Sequence, residues 1–311
     1  MRSRSFLRHS VKRERIDCPW EVMAVDPFDI ACTLMPDELS ASLAPYRDAE
    51  ELRLRAGQRP TVLIGGSETE FSSQRLHQEQ LRRILEIATG ASLHASAASM
   101  SNGFIPYRGL RIGICGEAAI SDGYMLGFRS ICSLAVRIPG LCSPSCRDTA
   151  RSCMEEGPKN TLLVAPPGVG KTSLLRELVR QTSQRGYRVG VIDERDELSG
   201  IHSGKTAFDL GPCTDVLVGL DKRTASMLLL RGMNPEIIAM DEITAPDDLD
   251  AVQNITGCGV SLYATAHGKS REDMCRRPLY RDLLEHGLFQ QMVVISIRDG
   301  RRVYSLELLC S

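Results

Sequence analysis

The sequence predicts an α/β protein in two parts: a mostly parallel sheet covered by helices, preceded by a smaller α+β domain. Three observations carry this expectation. From residue 161 onward, short apolar runs alternate with helical stretches, the rhythm of a parallel sheet with helical crossovers. Before residue 138 the strand-like runs are interleaved with polar or basic side chains, as half-exposed strands are. Between the two regions lies LCSPSCRD, a Ser, Pro and Cys cluster that reads as a linker. The length of 311 residues also suits two domains at roughly 150 residues each. The expected division is a basic disordered tail at 1–18, an α+β domain at 19–140 and a second α/β domain at 141–311.

In the first domain ELRLRAG (51–57) alternates apolar and basic residues, and PTVLIGG (60–66) follows it to a Gly-Gly stop. The stretch from Leu76 to Gly90 places Leu81, Ile84, Leu85 and Ala88 at helical spacing and ends on a glycine, a helix C-terminal signal. LRIGICGEAAI and ICSLAVRIPG read as further strands. In the second domain TLLVA (161–165) is a buried strand and TSLLRELVRQTSQ (172–184) a helix. YRVGVID (187–193), EIIAMDE (236–242) and VSLYATA (260–266) are three more strands with helical stretches between them. FQQMVVISIRDGRRVYSLELL closes the chain as a hairpin turning at Asp299-Gly300.

Composition excludes several classes. Apolar residues at 42% and charged ones at 25% suit a soluble globular chain rather than a disordered one. A net charge of −1 excludes nucleic-acid binding by bulk positive charge. No apolar run approaches the roughly 18–20 residues of a membrane span. The start, MRSRSFLRHSVKRER, is basic but has no apolar stretch, so it does not read as a secretory signal. It reads as a solvated tail or, less simply, as a weak tether to an anionic membrane face. The eleven cysteines are scattered, which suits reduced cytosolic thiols, and CSPSC lacks the CxxC pairs of a zinc site.

Chemistry concentrates in four segments. APPGVGKT runs from Ala165 to Thr172 between a strand and a helix, the setting of a phosphate-binding loop. Here Ala165, Pro166, Pro167, Gly168, Val169, Gly170, Lys171, Thr172 and Ser173 are the candidate nucleotide-binding residues. Glycines let backbone N–H groups turn toward phosphate oxygens, and the helix aims its positive end at the same anion. Lys171 would reach the β- and γ-phosphates of ATP, and Thr172 would ligate Mg2+. EIIAMDE ends in Asp241, suited to hold the metal, and Glu242, suited to orient or deprotonate the attacking water. VIDERDEL crowds Asp193, Glu194, Asp196 and Glu197 at a strand end, where ligands bind in open α/β sheets. LYATAHG ends a strand in Thr265 and His267, which could sense the γ-phosphate; a structural histidine is the equal alternative.

The order APPGVGKT, VIDERDEL, LLLRGMNPEIIAMDEI, GVSLYATAHG resembles the Walker A, Asp box, Walker B and His box of the type II/type IV secretion ATPases, a RecA-like P-loop group. ELRLRAGQRP, GFIPYRGLRIGICGEA and FRSICSLAVRIPG further resemble the N-terminal domain of the stage III sporulation protein AA family. The resemblance implies a RecA-like ATPase core and catalytic roles for Lys171, Asp193, Glu194, Glu242 and His267. It implies a role also for Arg231, ahead of Walker B, and for one N-domain arginine among Arg53, Arg55, Arg129 and Arg137. It further implies a homohexamer working with membrane proteins of a secretion-like channel, on the mother-cell side of a sporulating bacterium. The His box departs from the secretion pattern in holding one histidine, His267. The rival expectation is a RecA-like nucleic-acid-associated ATPase, in which ATP state controls binding to single strands. Aromatics at 5% and near-balanced charge in both halves argue against it.

Overall fold

A computed structural model of the chain describes residues 26–90, 103–121, 124–140, 142–201 and 204–309. The expected basic tail at 1–18 lies outside the described residues. Among those residues the first sheet is antiparallel and comprises β1 (Glu51–Arg55), β2 (Thr61–Ile64), β3 (Ser67–Glu70), β4 (Phe104–Tyr107), β5 (Leu110–Ser121) and β6 (Tyr124–Arg137), in the order β3-β2-β1-β6-β5-β4. The alternation of ELRLR works as a pleated strand requires. Leu52 and Leu54 enter the core, while Arg53 and Arg55 line the opposite face. Helices α1 (Pro27–Leu34), α2 (Asp37–Leu43) and α3 (Gln78–Ala88) cover the apolar face. Helix α3 buries Leu81, Ile84, Leu85 and Ala88, the four positions its spacing singles out. Neither α1 nor α2 announces itself by periodicity, because two turns are too short. Their signals are local: Asp26 caps α1 by accepting from the Phe28 N–H at 2.9 Å, and Pro27 occupies the first helical position.

The second sheet holds β7 (Thr161–Ala165), β8 (Val189–Asp193), β9 (Thr214–Val218), β10 (Ile237–Met240), β11 (Ser261–His267), β12 (Gln291–Arg298) and β13 (Arg301–Leu308). Their order is β13-β12-β7-β11-β10-β8-β9, and every pairing is parallel except the β12–β13 hairpin. Its turn is Asp299-Gly300, with φ of +49° and +71°, the left-handed pair that a two-residue hairpin demands. Helices α4 (Pro144–Ser152), α5 (Lys171–Gln184), α6 (Lys222–Gly232), α7 (Asp248–Gly257), α8 (Arg271–Cys275) and α9 (Pro278–Glu285) complete the unit. Leu163 and Ala165 enter one apolar cluster while Leu162 and Val164 enter another. Burial on both faces explains why these strands are continuously apolar.

The expected linker, LCSPSCRD, needs correction. Ser143 accepts the Cys146 N–H at 3.2 Å and Pro144 follows it, so SPSC is a helix start. Cys146 and Cys153 are buried against the second unit's core, and the described cysteines are free thiols.

Candidate active site

Strand order builds the site. The strand that leads into the phosphate loop, β7, and the strand that ends in Asp241-Glu242, β10, are not neighbours; β11 lies between them. Ala165 and His267 are register partners across β7 and β11. The TAH segment is therefore wedged between the loop and the acid pair. Gly268 is required just beyond it, since a Cβ there would collide with the Met274 sulfur and Val164.

Between β7 and α5 the loop turns on Gly168 (φ +74°) and Gly170 (φ +111°), left-handed conformations that glycine adopts without strain. Lys171 is buried, its Nζ 3.1 Å from the Ala165 carbonyl, 3.3 Å from that of Pro166 and 2.8 Å from His267 Nδ1. Burial lowers the Lys171 pKa to about 8, against the opposing charges of Asp241 and Glu197. His267 is also held below its ordinary value, by burial first and by the Lys171 charge second. A neutral imidazole that accepts from Lys171 at Nδ1 carries its proton on Nε2. That nitrogen sits 2.5 Å from Glu242 Oε1, close but off the hydrogen-bonding direction, which leaves the buried Oε1 without a hydrogen bond. Lys171, His267 and Glu242 thus form one contiguous chain.

Asp241 accepts from the Thr265 hydroxyl at 3.0 Å. Burial raises its pKa, against that hydrogen bond and the charges of Lys171, Lys222 and Arg195. Thr172 and Ser173 are half-buried in the first turn of α5, where the Ser173 hydroxyl donates to the Gly140 carbonyl at 3.2 Å. The oxygen donors of Thr172 and Asp241 suit a hard cation such as Mg2+.

The acidic turn after β8 divides its labour. Asp193 is buried and accepts from the N–H groups of Glu197 (2.9 Å), Leu198 (3.1 Å) and Ser199 (2.7 Å) and from the Ser199 hydroxyl (2.6 Å). All its capacity goes into shaping the turn. Glu194 instead accepts from Lys222 Nζ at 2.9 Å, and Lys222 also contacts Asp248 at 3.4 Å. Together with Arg195, Asp241, Glu242 and Thr244 these side chains line a crevice between the ends of β8 and β10. Lys222 escaped sequence reasoning, although an Asp-Lys pair opening a helix is the available signal.

Arg231 is not brought into this cluster. Helix α6 begins at Lys222 beside the crevice, so Arg231, nine residues on, is exposed roughly 14 Å along the axis toward the far edge of the sheet. Nor do the four N-domain arginines reach the loop. Arg53 and Arg137 bind Glu51, Arg55 binds Glu68 and Arg129 faces Glu117. The arginine that crosses between the units is Arg111 of β5, 3.0 Å from Glu197 and stacked on Phe104 at 4.0 Å. Beside it the β4–β5 turn, Arg108-Gly109, lies flush against Gly200 and the Phe208 ring.

The profile of the family described as Sporulation stage III, protein AA, matches residues 32–303. The chain belongs to that family. It is 29% identical over 282 residues to the Stage III sporulation protein AA of Bacillus subtilis (strain 168), covering 86% of this chain and 90% of that one. A shorter stretch is 32% identical over 138 residues to the uncharacterized protein ycf45 of Porphyra purpurea, covering 43% of this chain and 24% of that protein. Among solved structures, the Legionella pneumophila ATPase DotB superposes over 90% of this chain and 80% of its own, with a TM-score of 0.53 at 15% identity. The ADP-bound pilus retraction motor PilT superposes over 92% and 84%, with a TM-score of 0.56 at 17% identity. The fold is therefore that of the secretion ATPases, a P-loop α/β core behind a smaller domain.

Proposed function

We propose that the chain is an ATP-hydrolysing motor of the secretion-ATPase type. The observation that carries this reading is the continuous line from Lys171 through His267 to Glu242, with buried Asp241 alongside. ATP is the substrate, its phosphates held by Ala165–Ser173, whose backbone N–H groups and Lys171 charge meet them. Thr172 and Asp241 hold Mg2+, which neutralises charge on the phosphate oxygens when bound. Glu242 orients the water and accepts its proton, and His267 keeps Glu242 and Lys171 in register. Asp193 serves by fixing the acidic turn, and Glu194 by placing Lys222 beside the crevice. The divisions at 19–140 and 141–311 correspond in this reading to a ring-interface domain and a catalytic one.

The relatives support a reading of the biological role. The B. subtilis relative is a stage III sporulation protein, and DotB and PilT are an ATPase and a pilus retraction motor. The reading is a homohexamer that energises a channel between mother cell and forespore, docked on membrane proteins at the mother-cell face. No helix among the described residues is long and apolar enough to cross a membrane, which is consistent with docking. The nucleic-acid alternative is not favoured by these relatives. Phosphate release by the purified chain tests the reading: Glu242→Gln should lose at least about 100-fold in turnover while still binding ATP, and Lys171→Ala should lose both. A folded Glu242→Gln protein working at the wild-type rate would remove Glu242 from the chemistry.

A further inference from the structure

The terminal hairpin brings a second cation to the phosphate loop. Arg302, one residue into β13, lies across the open side of Gly170. A Cβ on that glycine would stand 3.4 Å from Arg302 Nε, 3.7 Å from its Cδ and 3.8 Å from its Cζ. The terminal nitrogens point the other way, 3.8 and 3.9 Å from where a Cβ on Gly140 would be. The guanidinium thus sits between the loop and the segment joining the two units, where Gly140 also accepts the Ser173 hydroxyl.

Arg302 is exposed, and among the described residues no carboxylate pairs with it. That separates it from Arg53, Arg55, Arg111, Arg129 and Arg137, each of which faces an acid. Lys171 is turned inward, its ammonium engaged by Ala165, Pro166 and His267 on the β11 side of the loop. Arg302 approaches from the β12–β13 side, so the two cations flank the loop. A guanidinium offers five donors in a planar fork that matches phosphate oxygens.

We propose that Arg302 is a direct ligand of the nucleotide's phosphates, clamping them from the hairpin side against the N–H groups of the loop. The proposal rests on the ATPase reading above. It makes the β12–β13 hairpin part of the nucleotide site, and the phosphates a link between hairpin, loop and the Gly140 junction.

The test uses the full chain and measures ADP and ATP binding by calorimetry for wild type, Arg302→Gln, Arg302→Lys and Lys171→Ala. Arg302→Gln keeps a polar side chain but removes the charge and the guanidinium fork, and should weaken both nucleotides about ten- to a hundredfold, the effect of one charge-assisted hydrogen bond. Arg302→Lys should recover part of that loss, and both Arg302 variants, at an exposed position, should keep the nucleotide-free thermal midpoint. If Lys171→Ala loses ADP while Arg302→Gln binds it as wild type, or more tightly, the Arg302 proposal is overturned and the ATPase reading stands. If Lys171→Ala also binds as wild type, the phosphate-loop reading falls and the Arg302 proposal with it.

Discussion

Asp193→Asn should destabilise the second unit without touching any residue that contacts substrate. The carboxylate's Oδ2 takes the Leu198 and Ser199 N–H groups and the Ser199 hydroxyl, while Oδ1 takes the Glu197 N–H and shares that of Leu198. An asparagine of the same shape must put its NH2 at one of these positions. The less costly choice is Oδ1, which strands the Glu197 donor for about 1–3 kcal/mol. The three bonds kept at the other oxygen each fall from charge-assisted to neutral, a loss of about 1 kcal/mol apiece. Relief from burying a charge offsets part of this, since burial is the largest influence on Asp193 and pushes its pKa up. The net expectation is a loss of about 2–4 kcal/mol. Urea unfolding measures it, and hydrogen exchange at the amides of 197–199 should quicken in parallel. A change below about 0.5 kcal/mol with unaltered exchange would refute the turn-shaping role and return Asp193 to the catalytic candidates.

Three further outcomes are expected. Asp196 is pushed up to about 6 by burial, so the fold binds its proton more tightly than the unfolded chain does, and stability falls as pH rises from about 4 to 6. Asp196→Asn, tolerated at φ +55°, should flatten that window by up to about 3 kcal/mol in a pH series of urea titrations; an unchanged slope would discount the titration. His267→Ala should lower kcat by about 10- to 100-fold with a smaller change in KM, because it parts Glu242 from Lys171; steady-state phosphate release decides, and an unaltered kcat would leave His267 structural. Gly109→Ala would drive a methyl group into the Phe208 ring at φ +85°, costing about 2–4 kcal/mol of contact between the units; faster proteolysis near residues 108 and 200 should report it, and wild-type resistance would mean the contact carries little.

Much of the fold was legible because burial leaves a pattern in sequence. β7 and the core face of α3 could be read from apolar spacing alone, and the terminal hairpin from Asp-Gly. What escaped was whatever depends on partners distant in the chain. Arg53, Arg55, Arg129 and Arg137 are good candidates by type, yet each is claimed by an acid, which for Arg55, Arg129 and Arg137 is brought beside it by the sheet. Glu51, two residues from Arg53, reaches Arg137 only because β1 pairs with β6. Arg111 carries no mark of its own, and its approach to Glu197 comes from how a hairpin meets a turn. Asp193 and Glu194 are adjacent and chemically alike. One points inward to cap its own turn and the other outward to Lys222, a difference of strand face rather than composition.

The acidic turn explains how chemistry and domain contact are joined. Glu197 is raised by burial and then by the proximity of Asp241, and is relieved by Arg111 of the other unit. A change of charge around Asp241 therefore alters the worth of the one ion pair described between the units, with no intervening flexible segment. Asp193 makes this coupling mechanical as well as electrostatic. It ties the amides of 197–199 to the end of β8, and Gly200, the next residue, abuts the Arg108-Gly109 turn. The end of β8, the acidic turn and the β4–β5 hairpin are thus joined in one run of contacts.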